Sequence, residues 1–290
     1  MPGSEAGSAR VTIVHRPASC AALLALLAAM CSAQPMAQGP HSPQVGQPGK
    51  DVVWVPTPDR LIVRMLQMAD TTSADLVVDL GSGDGRIPIA AAKRFGARGL
   101  GVEYDETLVQ LSIRSAEREG VADRVRFLRQ DLFQADLSGA SVVALYVSPA
   151  IMMRLRPTLF ALKPGTRVVS HQFTLGDWEP DESATVESRP AYLWVVPARV
   201  QGSWRLRLGA GDYELRLQQE YQRLSGFAEA GGKRSPVIAA RLRGNAIRFA
   251  FVDRIGDPRS FEGEVSGEAM QGTAHVYHQP ESAWRARRVP

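Results

Sequence analysis

The spacing of hydrophobic and polar positions changes several times along this chain, and each change marks a different kind of element. Residues 21 to 30 are one uncharged apolar run, AALLALLAAM. From Asp51 to about Arg199 two periods alternate. Apolar residues at helical spacing over 58 to 69, with Pro58 suited to a first turn, predict a helix. LVVDL at 76 to 80 is a short apolar run ending in glycines, as in a buried parallel strand. The alternation continues with a helix over 86–95, a strand at 99–104 (GLGVEY), a polar amphipathic helix over 106–119 and strands at 125–131 and 141–147. A helix over 150–162 and a strand at 166–173 follow, and 184–188 with 191–196 read as a final hairpin. Such repetition predicts an α/β fold, a doubly wound, mostly parallel sheet with helices on both faces and its ligand beyond the carboxyl ends of the strands.

Beyond Arg199 the period becomes two. WRLRL (204–208), YELRLQQEY (213–221), VIAARLRG (237–244), AIRFAFVD (246–253), FEGEVSG (261–267) and GTAHVYH (272–278) alternate apolar and polar residues between glycines and Asn245. This predicts a C-terminal antiparallel β-meander, a small sandwich or partial barrel. It would pack on the sheet edge or mediate dimerisation, or else recruit a substrate. The exposed Arg205, Arg207 and Arg216 would meet an acidic partner or simply form a solvated face.

The apolar run at 21–30 is too short for a bilayer, which needs roughly 20 residues. Arg10, His15 and Arg16 precede it and small residues follow, which is the order of a secretory leader cleaved after Ala33. The expected organisation is a signal peptide over 1–33, a Pro/Gly/Gln-rich lead-in over 34–50, an α/β domain over 51–200 and a β-rich domain over 201–290. Export places the protein in the periplasm, with no stable membrane span after cleavage. A start at Met36 would instead leave it cytoplasmic. Composition adds exclusions. With 44% hydrophobic and 22% charged residues the 290-residue chain is ordinary globular protein. A net charge of +4, from 34 basic and 30 acidic residues, gives no reason to expect nucleic acid. Cys20 and Cys31 are the only cysteines, so the body holds no disulfide, Cys-ligated zinc or Cys nucleophile. No metal-ligand spacing stands out.

The candidate chemistry lies in Asp79-Leu80-Gly81-Ser82-Gly83-Asp84-Gly85, where the first strand becomes a helix. A dinucleotide loop would need glycine at 86 or 88, where Arg86 and Pro88 stand, and a phosphate loop would need Gly-Lys-Ser/Thr. Two more acidic residues end the next two strands, Glu103 and Asp131. Singly, Asp79 could cap the turn, Glu103 be a solvated strand end and Asp131 an N-cap. Their joint order points to a site.

This arrangement resembles motif I and its partners in class I S-adenosylmethionine-dependent methyltransferases, whose sheet is Rossmann-like. The resemblance implies that Asp79, Gly81 and Gly83 face the methionine end of S-adenosyl-L-methionine, with Gly85 also among the cofactor-binding residues. It implies that Glu103 accepts both ribose hydroxyls, that Tyr104 packs on the adenine and that Asp131 with Leu132 meets the adenine edge. Further stretches sharpen it: VWVPTP (53–58), SGDGRI (82–87), VSPAIMMRLRP (147–157) and LKPGTRVVSHQFTLGDWEPD (162–181). Over about residues 51 to 200 these look like a bacterial branch of the family that contains the mitochondrial protein-lysine methyltransferases, members of which modify an adenine nucleotide carrier and the membrane ring of ATP synthase. The expected function is methyl transfer to a protein side chain, a lysine amine before others. The alternatives are a small-molecule methyltransferase and a non-catalytic binding protein.

The acceptor should arrive at the end of the fourth strand. There Tyr146, Ser148 and Pro149 are candidate catalytic residues, or plain strand-end packing. Many amino-methylating enzymes carry an amide and two prolines at this place, and this chain has neither. Met152 and Met153 read as helix core, and Trp178 as packing of the loop after strand five. His171 would orient a substrate or serve the fold as a hydrogen-bonded histidine.

Overall fold

The computed structural model describes residues 44–46, 55–253, 255–276 and 280–289. The expected leader, the rest of the lead-in and residues 51–54 lie outside the described residues. The first sheet contains β1 (Leu76–Leu80), β2 (Arg98–Glu103), β3 (Val125–Arg129), β4 (Val142–Leu145), β5 (Arg167–His171), β6 (Glu182–Val186) and β7 (Arg189–Val195). Its order is β3-β2-β1-β4-β5-β7-β6. The first five strands are mutually parallel, and β7 runs antiparallel to both β5 and β6.

Four helices cover it: α1 (Asp59–Met68), α2 (Arg86–Phe95), α3 (Glu106–Arg118) and α4 (Pro149–Phe160). The continuous apolar runs of β1 and β4 are explained by cover on both faces. Leu61 and Met65 of α1, with Ile87 and Ala91 of α2, pack against Val77, Val142, Ala144 and Val169. Ile151, Met152, Leu155 and Leu159 of α4 pack against Val78, Leu80, Val143, Leu145 and Val168. Each such side chain contributes about 2 kcal/mol relative to exposure. Met153 departs from the core expectation and is 41% exposed, because one residue along a helix turns the side chain by about 100°.

The C-terminal half contains β8 (Gly202–Leu208), β9 (Gly211–Glu220), β10 (Arg223–Ala230), β11 (Lys233–Pro236), β12 (Ile238–Arg243), β13 (Ala246–Val252), β14 (Pro258–Ser266), β15 (Ala269–Val276) and β16 (Ser282–Arg288). Neighbours in sequence pair antiparallel, as a meander would, but β16 returns to pair with β8. β11 and β12 are successive pieces on the same side of β10, separated by Val237. The expected antiparallel β-meander, read as a small sandwich or partial barrel, closes into a barrel. Closure satisfies the backbone groups that two free edges would leave unpaired. Phe249, Phe251, Phe261, Trp204 and Trp284 fill the interior. The sequence pattern missed β10, β11 and β16. Gly226 interrupts β10, and β16 buries only Trp284 and Ala286 between arginines.

Residues 43–290 form one compact unit. Tyr221, just after β9, stacks on Trp178 with ring centres 5.6 Å apart and planes 6° apart, and Phe160 meets both rings edge-on. Trp178 thus does pack the loop after strand five, with a barrel residue as its partner. Gln222 donates to the Glu179 carbonyl at 2.7 Å, and Arg241 pairs with Asp181 at 3.1 Å. Among the described residues no helix is long and apolar enough to cross a membrane.

Candidate active site

The strand order reverses between β1 and β4, which opens a crevice beyond their carboxyl ends. The Asp79–Gly85 loop leaves β1 at that point. Gly81, Gly83 and Gly85 have φ of +80°, +55° and +79°, a region that side chains disfavour. A Cβ on Gly85 would lie 2.7 Å from Phe127 and from Ser112, so the close approach of the loop to β3 and α3 also demands glycine. The amides of Gly81 and Ser82 donate to the Val102 carbonyl at 2.8 and 3.0 Å, which ties the loop to β2.

Glu103 ends β2 and closes the other side of the loop. Its carboxylate accepts from the Gly83 amide at 2.9 Å, and from the Tyr104 and Asp105 amides at 2.7 and 3.0 Å. Glycine loop and acidic strand end, 20 residues apart in sequence, thus meet directly. Tyr104 beside it is 50% exposed. Asp131 caps the short 3₁₀ turn Leu132–Gln134, its side chain accepting from the Phe133 amide at 3.0 Å. That is the capping geometry, and it fixes the carboxylate just past the end of β3. Leu132 is partly buried beside it.

Asp79 is 2% exposed, and among the described residues nothing hydrogen-bonds its carboxylate. Burial, then the charges of Glu103 and Asp84, push its pKa well above the ordinary carboxylate range. A cation arriving there would reverse that shift. A buried acid awaiting a cation, a glycine cradle and a carboxylate oriented by backbone amides fit a ligand with a cationic amino-acid end and a pair of hydroxyls.

The candidate acceptor residues lie at the ends of β4 and β5. Tyr146 and Ser148 follow β4, Ser148 at the start of α4 and Pro149 in its first turn. The Tyr146 ring is 3.9 Å from that of His171, centre to centre, and 6.4 Å from that of Phe173. His171 is 2% exposed and bonds through Nδ1 to Thr57 Oγ1 at 3.1 Å. Burial, helped by the charge of Arg189, lowers its pKa to about 4, so the ring is neutral at ordinary pH. Gln172 has φ +72°, and the Phe173 amide donates to the His171 carbonyl at 2.9 Å. This is a γ-turn of the rare, strained hand, located at the mouth of the site. Sequence reasoning missed Thr57 and Phe173 as members of this group. Thr57 had a signal, since VPTP is one of the marks of the resemblance, but nothing in that stretch says which side chain it meets. No group of acidic, His or Cys side chains able to hold a metal occurs among the described residues. A separate open groove of about 1020 Å³ lies between Asp181–Glu182 and barrel residues including Arg241, Arg248, Glu262 and Glu264, and contains none of these groups.

Comparisons with known proteins bear on the same region. The family model described as ANTKMT methyltransferase domain matches residues 79–182, within the α/β half. A protein-lysine N-methyltransferase of Saccharolobus islandicus is 39% identical over 151 residues, half of this chain and 94% of that protein. The adenine nucleotide translocase lysine N-methyltransferase of Mus musculus is 40% identical over 106 residues, 36% of this chain and 46% of that protein. This chain thus spans about half the length of the mouse enzyme. The crystal structure of an RNA methyltransferase from Salinibacter ruber, solved with S-adenosyl-L-homocysteine, is 49% identical over 50% of this chain and 96% of that one, with a TM-score of 0.49. The chain belongs to the class I S-adenosylmethionine-dependent methyltransferases.

Proposed function

We propose that this enzyme methylates a lysine amine of a protein, using the loop at 79–85, Glu103, Tyr104, Asp131 and Leu132 to hold S-adenosylmethionine and Tyr146, Ser148 and Pro149 to border the acceptor. The observation that carries this is the 39% identity spanning 94% of a protein-lysine N-methyltransferase. The chemistry of the acceptor end supports it. S-adenosylmethionine supplies a methyl group already activated on a sulfonium, so the protein must chiefly align an uncharged nucleophile. A lysine must shed its proton first, which desolvation favours, and the His171 ring beside Tyr146 is neutral. When bound, S-adenosylmethionine would supply the methyl group and leave as its thioether, the amine proton passing to solvent. Asp79 would hold the cationic amino-acid end of the cofactor.

The test is transfer of radiolabelled methyl from the cofactor to fractionated cell proteins, followed by hydrolysis to amino acids. Label recovered as methyl-lysine is the expected result. Label confined to small molecules or to nucleic acid would overturn the acceptor assignment. Cofactor binding with no transfer to any fraction would mark a non-catalytic protein.

A further inference from the structure

Tyr146 is the candidate acceptor residue with the most unusual surroundings. It lies past the last ladder bond of β4, is only half-buried, and its hydroxyl bonds no protein group among the described residues. What fixes it is ring contact. His171 covers one face, tilted 31° at 3.9 Å. His171 is in turn held by a residue 114 positions away, through the Thr57 hydroxyl. Thr57 is gripped at its other end as well, because Arg86 Nη1 donates to its carbonyl at 3.0 Å. Arg86 itself forms a two-pronged pair with Asp84 of the cofactor loop, at 2.9 and 2.6 Å. The series Asp84, Arg86, Thr57, His171, Tyr146 is thus continuous from the glycine loop to the acceptor end, and each link is a hydrogen bond or a ring contact.

We propose that Thr57 and His171 are positioning residues that hold the Tyr146 ring at the acceptor side of the methyl-transfer site and tie its position to the cofactor loop. This rests on Tyr146 bordering the acceptor, as proposed above. Neither residue touches reacting atoms. Their effect is geometric, and a shift of about 1 Å at a reacting centre costs up to about 100-fold in rate. Simple fold support predicts something else: loss of stability and of cofactor affinity, with no selective effect on turnover.

The experiment compares Thr57→Val, Thr57→Ser and His171→Phe with the parent enzyme. Thr57→Val keeps the shape and removes the hydroxyl, Thr57→Ser restores it, and His171→Phe keeps the ring and removes the bond. Turnover, cofactor affinity by calorimetry, melting temperature and the number of methyl groups added per amine are measured for each. The expected result is roughly a tenfold fall in kcat for Thr57→Val and His171→Phe, with cofactor Kd within about twofold and recovery in Thr57→Ser. Unchanged kcat in Thr57→Val, or a kcat loss matched by losses in affinity and melting temperature, would overturn the proposal. A readout independent of turnover is the ¹⁵N spectrum of the His171 ring, where one neutral tautomer is expected in the parent and a mixture in Thr57→Val. The same tautomer populations in both would also overturn it. If the parent transfers methyl groups to a non-protein acceptor, the acceptor assignment above fails while the kcat comparison on that acceptor still decides this one.

Discussion

Asp79 is a buried carboxyl group that its surroundings make reluctant to ionise. Burial, Glu103 and Asp84 all raise its pKa, whereas a cationic cofactor beside it would lower it. Below the raised value, binding must expel a proton, so affinity should fall by up to about tenfold for each pH unit. Calorimetry over a pH series should show affinity falling as pH falls, and Asp79→Asn should weaken binding and flatten that dependence. The Glu103 carboxylate accepts from three backbone amides and, in the proposed function, also faces the ribose. Glu103→Ala should therefore weaken cofactor binding by about 100-fold, at about 1.5 kcal/mol for each of two lost bonds. Unchanged affinity would show that the ribose lies elsewhere. His171 has a stability signature of its own. Its folded pKa of about 4 lies below the unfolded value of 6.5, so the unfolded chain takes up the proton first. The stability it confers is complete above about pH 6.5 and is lost as pH falls towards 4, up to about 3 kcal/mol. Urea unfolding across that range should show the loss, and His171→Phe should reduce it.

At the scale of elements, the ends of β1, β2 and β3 bring the glycine loop, Glu103 and Asp131 together, and glycine sets how closely they approach. Gly85 begins α2 in a left-handed conformation with Phe127 and Ser112 against the place of a Cβ. Gly85→Ala adds backbone strain to overpacking and should cost about 2 to 4 kcal/mol, measured as a fall in the unfolding midpoint. The barrel uses glycine in the same way. Gly263 and Gly272 are directly opposed on β14 and β15, and a Cβ on either would approach a carbonyl oxygen to 2.2 or 2.0 Å. The space they leave admits Trp284, whose Nε1 donates to the Glu262 carbonyl at 3.0 Å. The elements of the α/β half were legible because each strand is an unbroken apolar run between helices of a different period. β10 and β16 were not, because a strand interrupted by glycine, or one with only two buried residues among arginines, shows its alternation only when its neighbours are in place.

For the whole molecule, the decisive contact is the Trp178–Tyr221 stack with Phe160 across it. Trp178 is fully buried, and part of its cover is a side chain from the barrel half. The barrel is therefore part of what stabilises the loop after β5, the strand that carries His171. Tyr221→Ala should destabilise the protein by about 1 to 2 kcal/mol, less than deleting a fully buried aromatic, because Tyr221 is only partly buried. Scanning calorimetry should show one cooperative transition in the parent, whereas two separate transitions would mean that the halves fold independently.

The sequence by itself determined the α/β order, the glycine loop and the acidic residues at the ends of β2 and β3. These follow from local period and local backbone geometry, which a linear text contains. It also singled out Tyr146, Ser148 and His171 as candidates without saying which of them meet. Only the tertiary structure decided that Thr57 grips His171, that His171 covers Tyr146, and that the meander closes when β16 finds β8. Each is a contact between residues about 25 to more than 100 positions apart, made when separate elements pack, and no spacing along the chain encodes it.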